Sequence, residues 1–328
     1  HGWTVDGEGK AMHKSLGNGV DPADIFNENG ADILRLWAAS ADYHADVRCS
    51  KEIFKQLSQN YLKFRNTCKF MLDNLVDFDP ENLVKPEEMP KLDRWLLTKL
   101  NELIEKAEQS YCDYEFHIIT HAVNDFCVTT LSSFYLDIVK DRLYCDGADS
   151  LSRRSAQTAL YLTLHTLSKL FAPILVFTCD EIWLAMPHTA ADDARNVVLN
   201  EMNKPFAAYA LTESEMADWE KLVDVRTAVN GVLEAARAEK KIGKSLEADV
   251  HLTVPAEDAF LANMDGKELA DLLIVSQVEV TVGDSVKASA EEAAGTKCPR
   301  CWKHSTAANA EGLCPRCAEV MAKFPDLA

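Results

Sequence analysis

The sequence has no long hydrophobic run and no excess of basic residues, and these two absences exclude several kinds of function. The longest apolar run, Leu170 to Phe177, has eight residues and contains Pro173, whereas a helix that crosses a bilayer needs about 20. The chain carries a net charge of -18, and broad binding of nucleic acid depends on lysine and arginine that neutralise phosphates. We therefore expect no membrane segment, and we expect any RNA contact to be confined to a local basic patch.

No charged and apolar leader opens the chain, and six of its ten cysteines stand singly. This cysteine usage is typical of proteins from the reducing cytosol, so the sequence predicts a cytoplasmic protein. The length of 328 residues leaves room for two or three domains, each with a core of its own.

The other four cysteines form two identical tetrads, Cys298-Pro-Arg-Cys301 and Cys314-Pro-Arg-Cys317, with twelve residues between them. A Cys-x-x-Cys turn places two sulfurs on one side of the backbone, and two such turns complete the tetrahedral shell of a structural zinc ion. With four protein ligands, no coordination position is left for catalysis. Two disulfides would also account for four cysteines, but the spacing favours one structural Zn²⁺.

Apolar residues at helical spacing dominate the first two thirds of the chain. They recur every three or four positions from Phe54 to Leu75, which predicts one face of a long helix. Similar faces follow in residues 92–107, 116–143 and 160–174. Since each of these faces needs a helical neighbour, the sequence predicts an antiparallel helical bundle.

The pattern changes near residue 214. A helix is expected from about 214 to 241, followed by two alternating strands at 249–254 and 277–282 with a short helix near 259–274 between them. Residues 288–296 have no core pattern and are interpreted as a tether to the zinc module. The predicted fold class is therefore mainly α, with an antiparallel helical bundle, a small α/β unit and a C-terminal zinc module with four cysteine ligands.

A glycine-rich, irregular segment opens the chain and contains Met12-His13-Lys14-Ser15-Leu16-Gly17-Asn18. It presents an ammonium, a hydroxyl and free backbone donors just before a short helix that Asp21 and Pro22 begin and Gly30 ends. Phosphate is the natural ligand of such a loop, since a positioned cation stabilises charge that develops on a polyphosphate. A solvated surface loop of the same composition is the commoner interpretation of these residues taken alone.

Here the sequence carries a family resemblance that covers nearly the whole chain. Residues 12–18, followed by 31–37, resemble the KMSKS signature and the following helices of class I aminoacyl-tRNA synthetases. Residues 132–144 and 171–183 resemble the anticodon-binding helical domain of isoleucyl-tRNA synthetases. Residues 239–248, together with the terminal Cys-Pro-Arg-Cys-Trp, are similar to the bacterial members of that family.

The resemblance implies roles for the signature loop. Lys14 would contact the ATP phosphates while isoleucine is converted to its adenylate, with Met12 and Ser15 beside it and Mg²⁺ bound in the intact enzyme. The family's first signature lysine aligns with Ala11 and its first serine with His13. Lys10 could supply the missing cation from one position upstream, and His13 is interpreted as a tolerated loop residue rather than a base.

The resemblance also indicates what this chain lacks. The His-x-Gly-His signature of the class I active site does not occur in it, and the family's editing domain has no counterpart. We therefore expect a C-terminal fragment that is inactive by itself and meets ATP and isoleucine only together with a catalytic portion.

The implied partner is tRNA(Ile), whose unpaired anticodon bases proteins read by stacking and edge hydrogen bonds. Trp302 could equally stack on a base or shield the metal, whereas a solvated surface is the commoner interpretation of Lys240, Lys241 and Lys244. The candidate RNA contacts are Arg300, Trp302, Lys240, Lys241 and Lys244.

The expected domain organisation follows from the pattern and the resemblance together. Residues 1–47 would end a catalytic domain, 48–213 would form the anticodon-binding bundle and a connector, 214–287 a helix and small α/β unit, and 288–328 the tether and zinc module. Two alternatives remain open: a class I synthetase for valine, leucine or methionine, and a stand-alone zinc-dependent RNA-binding protein. An ATP loop argues against the second alternative. We expect a monomer.

Overall fold

Helices make up most of the computed structural model, which describes residues 1–324. The helices are α1 (Pro22–Asn29), α2 (Ala31–Ser40), α3 (Lys51–Asp73), α4 (Lys91–Cys112), α5 (Phe116–Asp125), α6 (Leu136–Cys145), α7 (Leu151–Phe171), α8 (Val176–Ala185), α9 (Glu213–Ala238), α10 (Gly266–Leu273) and α11 (Pro315–Lys323). The strands are β1 (Thr4–Val5), β2 (Val47–Arg48), β3 (Ala248–Pro255), β4 (Gln277–Gly283), β5 (Lys287–Glu292), β6 (Thr296–Lys297) and β7 (His304–Ser305). The mainly α class is thus confirmed, and no helix within residues 1–324 is both long and apolar enough to cross a bilayer.

The chain divides into two compact units. The first contains residues 1–135 and 157–210, and the second contains residues 136–156 and the chain from residue 211 onward. The last four residues of the predicted zinc module, 325–328, lie outside the described residues.

Helix α3 shows how the first unit follows from its sequence. The helix begins at Lys51 because the side chain of Ser50 accepts a hydrogen bond from the Ile53 amide at 3.4 Å. Its predicted apolar face is buried at Phe54 and Met71, among others. The shorter α1 is also built as predicted, since Asp21 accepts from the Ala23 amide at 2.9 Å.

The predicted helix over 116–143 is not a single α-helix. It consists of α5, a π-helical stretch over Phe126–Tyr135, and α6. In the wider π turn, Ser132 and Ser133 donate their hydroxyls to the carbonyls five residues earlier, both at 2.8 Å. Helix α8 was not predicted, because it is apolar on nearly all sides and shows no clear periodicity.

The second unit contains a three-stranded sheet in the order β4-β3-β5. Strand β3 runs parallel to β4 and antiparallel to β5. Val250, Leu252 and Val254 alternate along β3 and are buried, as the predicted strand requires. The predicted helix near 259–274 is shorter than expected, because Asp265 caps α10 and two 3₁₀ turns precede it.

Residues 287–292 correct one prediction. We expected a tether without structure over 288–296, but Lys287–Glu292 form β5 at the edge of the sheet. The segment is rich in alanine and glutamate, which are poor strand formers, so its pattern hides the strand. Pairing with the backbone of β3 forms it instead.

Candidate functional site

The signature loop is held closed by one carboxylate and one amide. Asp6 accepts hydrogen bonds from the Lys10 amide at 2.8 Å, from the Glu8 amide at 3.0 Å and from Nδ2 of Asn18 at 2.8 Å. The bond from Asn18 is the main reason that the pKa of Asp6 is lowered. Asn18 in turn accepts from the His13 amide at 2.9 Å. Asp6 and Asn18 therefore join the two ends of a segment that the sequence suggested was irregular.

One residue of the signature loop, Met12, is anchored to the core, while the signature lysine, Lys14, is exposed. Met12 is half-buried and packs against the cluster that contains Ile25, Ile33 and Phe54. Lys14 and Ser15 lie in an exposed 3₁₀ turn that ends at Gly17. The loop thus presents a hydroxyl and an ammonium to solvent from a fixed base.

The two candidate cations of the loop differ in their surroundings. The ammonium of Lys10 lies 2.6 Å from the carboxylate of Glu8, and both side chains are exposed. Lys14 forms no ion pair with any residue in 1–324. Lys14 is therefore the cation of this loop that can meet an anionic ligand without first leaving a carboxylate.

The four tetrad cysteines come together in the second unit. Their Sγ atoms all lie within 4.8 Å of one another, and those of Cys301 and Cys314 are 3.7 Å apart. Zinc at about 2.3 Å from each sulfur of a tetrahedron separates the sulfurs by about 3.8 Å. Three of the thiols are buried and Cys314 is half-buried, and none of the ten described cysteines forms a disulfide. The donor set fits a closed zinc shell, and the disulfide alternative is wrong.

Local structure positions each pair of thiols. The Trp302 amide donates to the Cys298 carbonyl at 2.9 Å, which closes the first turn between β6 and β7. Gly295 lies at φ 99° before this hairpin, and a Cβ there would be 2.3 Å from the Ser305 carbonyl carbon. In the second tetrad Cys314 precedes α11, and the helix brings Cys317 to the cluster.

A fifth thiol lies against the cluster without belonging to the ligand set. Cys145 is buried among the tetrad cysteines, and burial raises the pKa of its thiol to about 12. Within the tetrads, the hydrogen bond between Cys301 and Cys317 lowers the pKa of the Cys301 thiol and raises that of the Cys317 thiol. Metal ligation needs the thiolate. Geometry separates Cys145 from the candidate ligands, because it is not among the four cysteines whose Sγ atoms all lie within 4.8 Å of one another.

A second group of possible ligands, Asp249, His251 and Glu291, lies on the solvent face of the sheet. The ring nitrogens of His251 are 3.3 Å from Glu279 and from Glu291, and the hydrogen bond with Glu291 is the main cause of its raised pKa. His251 and Glu291 are exposed and Asp249 is half-buried, and exposed acidic groups of this kind are common without a metal. We therefore treat only the cysteine cluster as a candidate metal centre.

The candidate RNA contacts are brought together only in part. The ammonium of Lys244 lies 4.9 Å from the centre of the Trp302 ring, and the indole is 53% exposed. Lys240 and Lys241 follow the end of α9 and are exposed, and Lys241 lies 2.7 Å from Glu239. Trp302 and Lys244 therefore form the one aromatic and cationic pair within this predicted set.

Arg300 has partners that sequence reasoning missed. Its guanidinium donates to the carbonyl of Cys145 and, at 3.3 Å, to that of Tyr144. Its partner Cys145 lies 155 positions away, so no spacing rule could have found the contact. The role of Arg316, which the sequence left open, is likewise a contact with α6, at Asp141.

Comparisons with known proteins find similar families for three parts of the chain. Family models match residues 1–50 (tRNA synthetases class I, for I, L, M and V), 93–252 (anticodon-binding domain of tRNA ligase) and 295–320 (zinc finger found in FPG and IleRS). Isoleucine–tRNA ligases are similar over 98% of this chain: that of Moorella thermoacetica is 43% identical, that of Syntrophotalea carbinolica 44% and that of Caldicellulosiruptor saccharolyticus 45%. The chain spans 36% of the length of each of these relatives. A leucyl-tRNA synthetase solved in a ternary complex, from Agrobacterium radiobacter K84, is 15% identical, with a TM-score of 0.48 over 77% of this chain and 26% of that one.

Proposed function

Because the chain belongs to the isoleucine–tRNA ligase family and spans 36% of the length of its relatives, we propose that it binds the anticodon end of tRNA(Ile) and contributes Lys14 to ATP-dependent formation of isoleucyl adenylate. The complete enzyme acts as a monomer in the cytoplasm. Ten free cysteines support a reducing compartment.

The anticodon contact rests on Trp302 and its surroundings. An exposed indole stacks on an unpaired base with about 1–3 kcal/mol per base, and Lys244 beside it supplies a positive charge. The net charge of -18 leaves little general affinity for phosphates. Recognition must therefore come from a local patch of this kind.

Zinc has a structural role in this proposal. Cys298, Cys301, Cys314 and Cys317 hold one Zn²⁺, supported by their sulfur separations and by the zinc-finger match to residues 295–320. The bound ion supplies folding free energy to the module and no chemistry, because four protein ligands close its shell. Trp302 lies between the ligand Cys301 and β7, and its backbone is positioned by the same turn through the hydrogen bond to the Cys298 carbonyl.

The loop serves the adenylation step. When the isoleucine carboxylate attacks the α-phosphate of ATP, negative charge grows on the departing pyrophosphate. Lys14 is exposed, without a carboxylate partner in residues 1–324, and its turn is anchored by Asp6 and Met12. A cation held in this way stabilises the developing charge without reorganisation during the reaction.

The comparisons favour isoleucine over the alternatives. The relatives at 42–45% identity are isoleucine–tRNA ligases, and the zinc-finger description names IleRS. A stand-alone RNA-binding protein would have no use for the class I segment over residues 1–50.

Filter binding of labelled tRNAs tests the anticodon contact. We expect tRNA(Ile) to bind more tightly than tRNA(Val) or tRNA(Leu), and Trp302→Ala to weaken binding about 5-fold to 150-fold, as the loss of one stacked base implies. Trp3→Ala is the matched control, since Trp3 is also an exposed tryptophan, at 78%. Equal binding of all tRNAs, or an equal loss in both variants, would contradict the proposal.

A further inference from the structure

The two zinc tetrads are identical in sequence, but their arginines have different partners on one helix. Arg300 contacts the carbonyls of Tyr144 and Cys145 at the end of α6, and Arg316 contacts the carboxylate of Asp141 on the same helix. Each arginine directly precedes a cysteine of the cluster. The turns that present the thiols therefore also present the guanidiniums.

Arg300 completes the capping of α6. The last four carbonyls of a helix have no partner within it and form the negative end of its dipole. The carbonyls of Arg142 and Leu143 accept from the Asp146 amide at 3.2 Å and from Nε of Arg153 at 3.1 Å. The carbonyls of the last two residues accept from Arg300. The zinc module thus supplies half of the C-cap of this helix.

Arg316 forms a second contact, which is mostly buried. Its two terminal nitrogens reach the two oxygens of Asp141 at 2.5 and 2.8 Å, and one of them lies 3.2 Å from Asp146. The three side chains are only 20%, 20% and 11% exposed. In such surroundings a paired guanidinium cannot be removed without leaving buried carboxylates uncompensated.

The same contacts reach the thiols. Nη1 of Arg300, which donates to the Cys145 carbonyl, also lies 3.7 Å from Sγ of Cys317. The side chain of Cys145 packs against the buried tetrad cysteines, so the end of α6 forms one wall of the cluster. An ordered metal shell and an ordered contact with α6 therefore need the same positions of the two tetrad turns.

We propose that Arg300 and Arg316 are positioning residues that couple zinc binding to the docking of the zinc module on α6. This inference rests on the zinc site of the proposed function. By linkage, docking tightens zinc binding by the same factor as zinc tightens docking. The presentation of Trp302 then depends on α6 as well as on the metal.

Asp141→Asn provides the sharpest test, because Asp141 lies outside both tetrads and is joined to them through Arg316. We expect the zinc-loaded variant to release zinc to a chromogenic chelator about 10-fold to 100-fold faster, the usual effect of losing a residue that supports a metal ligand. Asp149→Asn is the matched control. Asp149 also pairs with a basic residue of α11, Lys323, but both side chains are exposed, so its release rate should match the unmodified chain.

A second variant and a reciprocal measurement keep the test independent of one substitution. Arg300→Met, a change in the zinc module rather than in α6, should also accelerate zinc release about 10-fold to 100-fold. In the unmodified chain, zinc removal should raise hydrogen exchange at the amides of residues 142–146. A zinc site that is not coupled to α6 would leave the exchange at these amides unchanged.

The outcomes separate the two proposals. One bound zinc with equal release rates for Asp141→Asn and Asp149→Asn, or unchanged exchange at residues 142–146 after zinc removal, overturns the coupling alone. A protein in which metal analysis finds no zinc overturns both the zinc site and the coupling.

Discussion

Lysines 10 and 14 show that neighbouring residues of one type can have different roles. Both lie in the signature loop and both are exposed, but the carboxylate of Glu8 lies 2.6 Å from the ammonium of Lys10 alone. An exposed pair of this kind is weak. The pair still neutralises Lys10, the residue that the sequence analysis considered as a replacement for the lysine missing at Ala11.

Substitution of these lysines in the complete ligase tests the assignment. Lys14→Ala should lower the rate of ATP–pyrophosphate exchange about 10²-fold to 10³-fold, since one positioned group that stabilises developing charge is lost. Lys10→Ala, the matched control, should have a much smaller effect because its charge is already paired. If Lys10→Ala causes the larger loss, the two roles are reversed.

Arg300 and Arg316 both contact α6, which their positions in the sequence do not indicate. Burial alone would raise the pKa of Asp141, but the hydrogen bond from Arg316 lowers it, so the carboxylate stays ionised and paired. The family resemblance favoured Arg300, beside Trp302, as an RNA contact. In the structure its donors serve the end of a helix within the same unit.

Capping residues explain where several elements begin. Thr212 and Glu215 form a reciprocal cap at the start of α9: the Thr212 hydroxyl accepts from the Glu215 amide at 3.3 Å, and the Glu215 carboxylate accepts from the Thr212 amide at 3.1 Å. Together they satisfy two of the amides that a helix start leaves without partners.

Removal of this cap gives a prediction for the element. Thr212→Ala should lower the free energy of unfolding of the second unit by about 1 kcal/mol, measured by urea denaturation. Thr227→Ala in the middle of α9 is the control. Its hydroxyl only donates to the Val223 carbonyl at 3.0 Å, and alanine is the better helix former, so stability should stay equal or rise. A larger loss at Thr227 would contradict the cap's contribution.

Two elements escaped the sequence pattern for different reasons. The π-helical stretch over Phe126–Tyr135 keeps apolar residues at spacings compatible with an ordinary helix, so periodicity cannot reveal the wider turn. Strand β5 has almost no strand-forming side chains. Its conformation comes from backbone pairing with β3, which is a long-range contact.

At the scale of the whole molecule, the chain divides into two compact units, and the cysteine cluster belongs to the second. Structural zinc contributes folding free energy to the residues that bind it. Removal of the metal should therefore act on one unit rather than on the entire chain.

Chelation combined with hydrogen exchange measured by mass spectrometry tests this expectation. Peptides from residues 296–323 should lose most of their protection without zinc, whereas peptides from α3 and α4, which each bury an apolar face in the first unit, should keep theirs. Addition of zinc should restore the original pattern. Equal loss of protection in both units would contradict an effect of zinc that is confined to the second unit.

Local chemistry was sufficient to predict much of this protein. The helix start at Asp21, the apolar face of α3 and the alternation along β3 depend on residues within a few positions of one another, and the two cysteine tetrads are only twelve residues apart. The family resemblance added the signature loop and the anticodon-binding region. These features follow from spacing, which the linear chain contains completely.

Contacts between distant residues required the folded chain. The partners of Arg300 and of β5 lie far away in the sequence, as do the groups that bury Asp141. A hydrogen bond or an ion pair depends on distances that arise only when separate elements pack. For that reason the four zinc ligands could be read from their spacing, while the attachment of the zinc module to α6 could not.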